Sequence, residues 1–311
     1  MIKLARLKDR IKDDLKEINK IIDETLTGSH DELQNIYNYL KNEKGKQVRS
    51  SIIILIGNLI TTPNKKNLYH LAAGIELIHL ASLIHDDIID EADIRRNQET
   101  IYKKYGINNA IITGVHCYSL ALNQFALIND PSVIKEISKC VTHLCEGEFI
   151  QVNERNNFEL SENDYWRIVR NKTSALFHSA CKLSAKLCKL SENDIDKLGE
   201  FGNALGDIFQ LADDYLDFYD NKNHLSKKVE QDLMTGDISL PILMASLKAK
   251  NLNKSEIQKS LLENNQEISN QIKNKLFEKK NSAITSLDSI SESLVTKDLK
   301  LLLEIITDRI N

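Results

Sequence analysis

Two stretches of this chain share a spacing that is hard to sustain without a cation. "DDIID" at 86–90 and "DDYLD" at 213–217 each place aspartates at i, i+1 and i+4. In a helix, positions i and i+4 project from one face, so Asp86 stands beside Asp90 and Asp213 beside Asp217, with Asp87 and Asp214 flanking them. Like charges so close repel. A solvated acidic turn would explain one copy. The residues before the first, "AAGIELIHLASLIH", are largely apolar, however, and put the turn at the mouth of a buried helix. Oxygen-only donors suit a hard divalent ion. Mg2+ held by one or two carboxylates completes its shell with waters and substrate phosphates. Two copies behind two apolar helices are expected to face each other across a helical bundle and grip a diphosphate through bridging metals. Those metals would neutralise the charge that otherwise holds the leaving group on its carbon.

The elements that must position these groups read as helices almost throughout. Apolar residues recur at helical spacing in Leu33, Ile36, Tyr37 and Leu40, in Leu71, Ile75 and Ile78, and in Leu198, Phe201, Leu205 and Ile208. Only 3 Pro and 11 Gly punctuate 311 residues, and alternating strand patterns are missing. The chain is therefore expected to be all-α, with roughly ten or more helices around a central cavity. Loops are expected at 25–30, 42–47, 61–67, 129–132, 154–164 and 220–228. No repeat, low-complexity tract or linker divides the chain, so 1–311 reads as one domain. The tail beyond Asn251 keeps helical spacing and is expected to pack as terminal helices.

Composition narrows the function further. Forty-one Lys and Arg against 45 Asp and Glu leave a net charge of −4, which speaks against a general nucleic-acid binder and makes any phosphate site local. Five cysteines without a CxxC pair fit reduced thiols and a cytoplasmic location. The N-terminus is amphipathic and acid-containing, unlike a signal peptide. The most apolar run, "SIIILIGNLI" at 51–60, is far shorter than a membrane span needs, so no span is expected. Lys46, Arg49, Arg95, Arg96, Lys172 and Lys227 lie near predicted helix ends. Any one alone would read as a solvated surface residue, but the aspartate pair gives the set meaning as diphosphate partners.

With these stretches in view the sequence resembles the trans-type polyprenyl diphosphate synthases, most of all the bacterial long-chain enzymes such as the catalytic component of heptaprenyl diphosphate synthase. The likeness runs through "GKQVRS" (45–50), "ELIHLASLIHDDIIDEADIRR" (76–96), "EGEFIQ" (146–151), "KTSALF" (172–177), "GDIFQLADDYLDFYD" (206–220) and "QDLMTGDISLPIL" (231–243). The resemblance implies a prenyltransferase that joins isopentenyl diphosphate to an allylic diphosphate, farnesyl or shorter. It implies Asp86, Asp87, Asp90, Asp213, Asp214 and Asp217 as metal ligands, with three Mg2+ per site when substrate is bound and Mn2+ as a substitute. Lys46, Arg49, His79 and Arg96 match the isopentenyl diphosphate pocket. Arg95, Lys172 and Lys227 match the allylic diphosphate clamp, with Thr173 and Gln210 lining the reacting carbons. The departing diphosphate serves as base, so His79 binds rather than catalyses. The family further implies a homodimer, or a heterodimer with a small regulatory subunit, and peripheral membrane contact at most, for product release.

Several positions depart from the family pattern. Ser50 stands for a usual Pro, Gln47 for a basic residue, Asn97 for Gly, Val115 for Asp and Asp237 for Lys. "LSKKVEQDL" lacks the usual Gly-Lys-Pro-x-Gly but keeps Lys227. A class I terpene cyclase shares the first motif, yet "DDYLD" is not the cyclase second motif. A silent interaction subunit would be expected to have lost aspartates, and all six are present. Product length is read from Ile78, Ala81 and Ser82, which share a helix stripe with Asp86. Bulky aromatics four or five residues before the first aspartate stop growth in short-chain relatives. Ala81 and Ser82 leave that floor open, which points to thirty carbons or more and a quinone side-chain precursor. Tyr118, Leu122 and Phe125 are candidate deeper plugs, with a fifteen- or twenty-carbon product as the alternative.

Overall fold

The computed structural model describes the backbone of residues 7, 9–41, 45–220, 224–225, 227–290 and 294–308, and the side chains of these apart from 219–230 and 294. As expected, the fold is all-α; the strands among the described residues form two hairpins of two residues per strand. Its contacts divide it into two compact units. One comprises Met1–Glu136 with Leu183–Leu190, and the other Ile137–Lys182 with Ser191–Asn311.

The first unit opens with α1 (Lys12–Thr25), α2 (Asp31–Leu40) and α3 (Val48–Gly57). The long α4 (Lys65–Ile89) follows, then the hairpin β1 (Ile94–Arg95) and β2 (Gln98–Glu99), α5 (Ile101–Tyr105) and α6 (Ile107–Ala126). Asn64 and Thr100 cap α4 and α5 by accepting the N–H groups of Asn67 and Lys103, which satisfies donors that a helix start otherwise leaves open. Helix α3 is buried from Ser50 to Gly57, as its unbroken apolar run requires. Helices α4 and α6 run antiparallel in close register: His85 packs beside Tyr118, and Gly74 faces Phe125. A Cβ at residue 74 would lie 2.4 Å from the Phe125 ring, so only glycine admits that fully buried side chain. By length and composition α4 could cross a membrane. Here most of its apolar residues from Leu68 to Ile84 are core, and its last turn carries Asp86 and Asp87, so it reads as the central helix of the unit.

The second unit takes in most of α7 (Pro131–Asn153), then α8 (Glu162–Val169), a π-helical turn (Arg170–Ser174), α9 (Ala175–Leu187), which it shares with the first, and α10 (Glu192–Phe218). A hairpin of β3 (Tyr219–Asp220) and β4 (His224–Leu225) leads to α11 (Lys227–Thr235), α12 (Leu240–Ser246), α13 (Lys254–Glu263), α14 (Asn265–Asp288) and α15 (Leu294–Thr307). The tail is helical, as its spacing predicts. Loops end three residues earlier than expected at α4 and α8, because Asn64 and Ser161 are caps whose helices start at once.

Candidate active site

In the first unit the acidic cluster forms where α4 ends. Asp86 and Asp87 occupy its last turn and Asp90 caps it, donating its N–H to the Asp86 carbonyl at 2.8 Å. Three carboxylates at the negative end of a helix dipole compound an unfavourable field, so a cation is required there. One is already present: Arg95 Nε donates to Oδ1 of the buried Asp87 at 2.7 Å. The two arginines lie beyond the end of the helix. They ride on the hairpin, whose turn places Arg96 at φ 51° and Asn97 at φ 67°. Two consecutive left-handed residues suit the tight turn that matches strand twist, and Asn tolerates this conformation better than any other residue except glycine. The departure at Asn97 is thereby explained. Thr100 Oγ1 donates to the Ala92 carbonyl at 2.6 Å and closes the base of the hairpin.

The basic pocket assembles around the same hairpin. A Cβ on Gly45 would lie 3.3 Å from Arg96 Nη1, so the "GKQVR" loop runs alongside that guanidinium. Lys46 on this loop is exposed and Arg49, in the first turn of α3, is half-buried. On α4, His79 is driven well below the usual imidazole range, first by burial and then by the charges of Arg49, Arg96 and Arg95. Arg49, Arg96 and Arg95 are thus each within electrostatic reach of His79. A cavity of about 70 Å³ lies beside Asp87, Arg95 and Arg96, lined also by Leu80, Leu83 and Ile84.

Two further departures have structural causes. Gln47 adopts φ 52° at the start of α3 and exchanges amide hydrogen bonds with Asn19 of α1 at 2.7 and 3.3 Å. Its carbonyl accepts Ser51 Oγ at 2.8 Å. Ser50 donates both its N–H (3.1 Å) and its hydroxyl (2.7 Å) to Glu76 Oε1 on α4, an anchor that proline could not supply. Of the chain-length residues, Ile78 and Ala81 are fully buried, and Ser82 is half-buried with its hydroxyl on the His79 carbonyl. Phe125 is buried against α4, whereas Leu122 is half exposed.

In the second unit, Thr173, Gln210 and Asp214 form one relay. Thr173 Oγ1 donates to Gln210 Oε1 at 2.9 Å, and Gln210 Nε2 donates to Asp214 Oδ1 at 2.8 Å. Asp214 Oδ2 accepts from Tyr165 Oη at 2.8 Å and from the Leu240 N–H at 2.9 Å. Burial raises the Asp214 carboxyl above its ordinary range, and the three donors from Leu240, Gln210 and Tyr165 pull it back. Asp213 and Asp217 are half-buried on the same stretch of α10. Lys172 lies on the π-helical turn, a feature frequent at functional sites, and pairs with Glu148 of α7 at 2.5 Å. The other oxygen of that carboxylate, Glu148 Oε1, is buried without a hydrogen-bond partner among the described residues. Asp237, the departure from lysine, accepts from Arg155 Nε at 3.0 Å. Tyr165, Glu148 and Arg155 escape a reading by motif: Glu148 lies inside "EGEFIQ" but nothing in its spacing marks it, and the other two depend on chain reversal. Lys227 begins α11, and its side chain lies outside the described residues.

Among the described residues, no three carboxylate, imidazole or thiolate groups converge as a ready-made metal cage would. An ion that keeps its waters and takes one or two carboxylates plus phosphate oxygens needs no such cage. The hard oxygen donors of both motifs, and the excess negative charge at the end of α4, fit such an ion.

Comparison with known proteins gives this geometry a context. The family model described as polyprenyl synthetase matches residues 30–279. Heptaprenyl diphosphate synthase component 2 of Geobacillus stearothermophilus is 30% identical over 244 residues, 78% of this chain and 76% of that one. Geranylgeranyl diphosphate synthase of Methanosarcina mazei is 32% identical over 248 residues, 78% of this chain and 76% of that one. The crystal structure of a decaprenyl diphosphate synthase from Rhodobacter capsulatus superposes with a TM-score of 0.90 over 99% of both chains at 22% identity, which establishes the fold.

Proposed function

The chain belongs to the polyprenyl synthetase family, and from that premise we propose that it is an Mg2+-dependent synthase extending an allylic diphosphate with isopentenyl diphosphate to an all-trans, long-chain product. The observation that carries the reading is the grouping of Arg49, His79 and Arg96 beside Arg95–Asp87, which offers an anionic headgroup a cation-rich pocket next to a carboxylate cluster. Lys46, Arg49, His79 and Arg96 hold isopentenyl diphosphate. Mg2+ bound by the six aspartates would stabilise the departing diphosphate. Arg95, Lys172 and Lys227 would fix the allylic diphosphate. Thr173 and Gln210 line the reacting carbons, and no side-chain nucleophile is used.

We take residues 1–311 as one synthase domain, because the family match runs unbroken through both units. Ala81 and Ser82 support a product of thirty carbons or more. The relatives' names span geranylgeranyl to decaprenyl, and a shorter product is the second reading. The protein works in the cytoplasm, as a homodimer or with a small regulatory subunit; two relatives carry "component 2" in their names. The test is to incubate the purified chain with Mg2+, isopentenyl diphosphate and farnesyl diphosphate and to weigh the products. Elongation beyond C25 supports the reading, C20 alone supports the shorter one, and a cyclic hydrocarbon would overturn both.

A further inference from the structure

The segment after α11 is pinned twice. Gly236, at φ 87°, reverses the chain, and its carbonyl accepts the Asn156 N–H at 2.8 Å. A Cβ there would lie 2.5 Å from the Asn156 side chain, in a conformation that L side chains rarely adopt, so glycine is required on both counts. Next to it, Asp237 accepts from Arg155 (Nε 3.0 Å, Nη2 3.5 Å), from Gln151 Nε2 at 3.3 Å and from Thr235 Oγ1 at 2.9 Å. Arg155 and Asp237 are each mostly buried, with side chains 22% and 17% exposed, so their attraction is less screened than that of a surface pair. Three residues further on, the Leu240 N–H reaches Asp214 Oδ2. The strap from Thr235 to Leu240 thus begins on the end of α7 and finishes on the second aspartate motif.

We infer that Arg155 and Asp237 are positioning residues: their ion pair sets where the Leu240 N–H stands, and through it the orientation of the Asp214 carboxylate toward a divalent cation. The inference rests on the reading of Asp214 as a metal ligand. A buried carboxylate with one oxygen on Tyr165 and Leu240 and the other on Gln210 has a single settled orientation. Loss of the Leu240 donor lets it turn. The chain therefore replaces the direct cation of a lysine at 237 with an anion held by an arginine, and the position serves geometry rather than charge.

The test uses the full chain and two readouts. Hydrogen exchange at the Leu240 amide reports the strap without any metal. Mn2+ uptake in the presence of inorganic diphosphate, followed by the EPR signal of free Mn2+, reports the aspartates. Asp237→Asn and Arg155→Gln should each speed Leu240 exchange at least tenfold and weaken Mn2+ uptake about threefold to tenfold. The exchanged pair Arg155→Asp with Asp237→Arg should recover most of both. Unchanged Leu240 exchange in both single variants overturns the inference, whatever the metal does. Faster exchange with unaltered Mn2+ uptake overturns the link to Asp214. A wild type that takes up no Mn2+ would strike the metal reading and with it that link, while the exchange rates still decide the strap.

Discussion

Asn97 and His79 show how single residues carry the basic pocket. Asn97 holds a left-handed conformation that bends the arginine hairpin back toward Asp87. Asn97→Gly should leave stability nearly unchanged, whereas Asn97→Val should cost about 1–2 kcal/mol, because a β-branched residue clashes in that region. Urea denaturation midpoints of the two variants would settle it. His79 titrates in the folded protein well below its ordinary value, owing to burial and then to Arg49, Arg96 and Arg95. The unfolded chain therefore takes up a proton first as pH falls, so the stability contributed by neutral His79 is complete above about pH 6.5 and is lost below it. His79→Gln should flatten the stability profile between roughly pH 6.5 and 5; an equally steep fall in the variant would place the titrating group elsewhere. At Lys46 and Arg49 the expectation concerns binding. Lys46→Ala or Arg49→Ala removes a charge-assisted contact of roughly 1.5–3 kcal/mol, and should raise KM for isopentenyl diphosphate tenfold or more with a smaller effect on kcat.

At the scale of elements, the α4–α6 packing bears on stability and, on the proposed reading, on product length. Gly74→Ala would drive a methyl into the Phe125 ring and should cost about 1–3 kcal/mol by overpacking, with Phe125→Leu restoring part of the loss in the double variant. Additive losses in that thermal-denaturation cycle would mean the two residues do not meet. Ala81→Phe lies one turn above Ile78 on the same buried stripe and should shift the main product to fifteen or twenty carbons while the first condensation stays fast. If the wild type itself stops at fifteen carbons, the open-floor argument is wrong.

For the whole molecule, two expectations follow. On the proposed reading of the aspartate motifs as Mg2+ ligands, turnover should vanish in excess chelator and return with Mg2+ or Mn2+. Helix α6 also leaves Ile107, Ile111, Val115 and Leu122 44–58% exposed along one face. An apolar stripe of that kind suits a subunit interface. Val115→Asp with Ile111→Asp should shift sedimentation toward the monomer if a second copy covers it, and leave it unmoved if the chain is monomeric without a partner subunit.

Helical periodicity made the all-α class legible from residue types alone, because burial on a 3.6-residue repeat needs no knowledge of the partner surface. The aspartate motifs were legible for a similar reason: their spacing is local, and their charge is costly enough to need a purpose, whereas the roles of the scattered basic residues were implied by the family resemblance. What lay beyond sequence was everything that depends on chain reversal. The hairpin that turns Arg95 back onto Asp87, the Gln47–Asn19 and Ser50–Glu76 anchors, and the strap that brings Leu240 to Asp214 join residues 8, 28, 26 and 26 positions apart. Spacing along the chain cannot encode such meetings. They arise from left-handed residues at Gln47, Arg96, Asn97 and Gly236, and from buried polar groups that find partners only once the helices have packed.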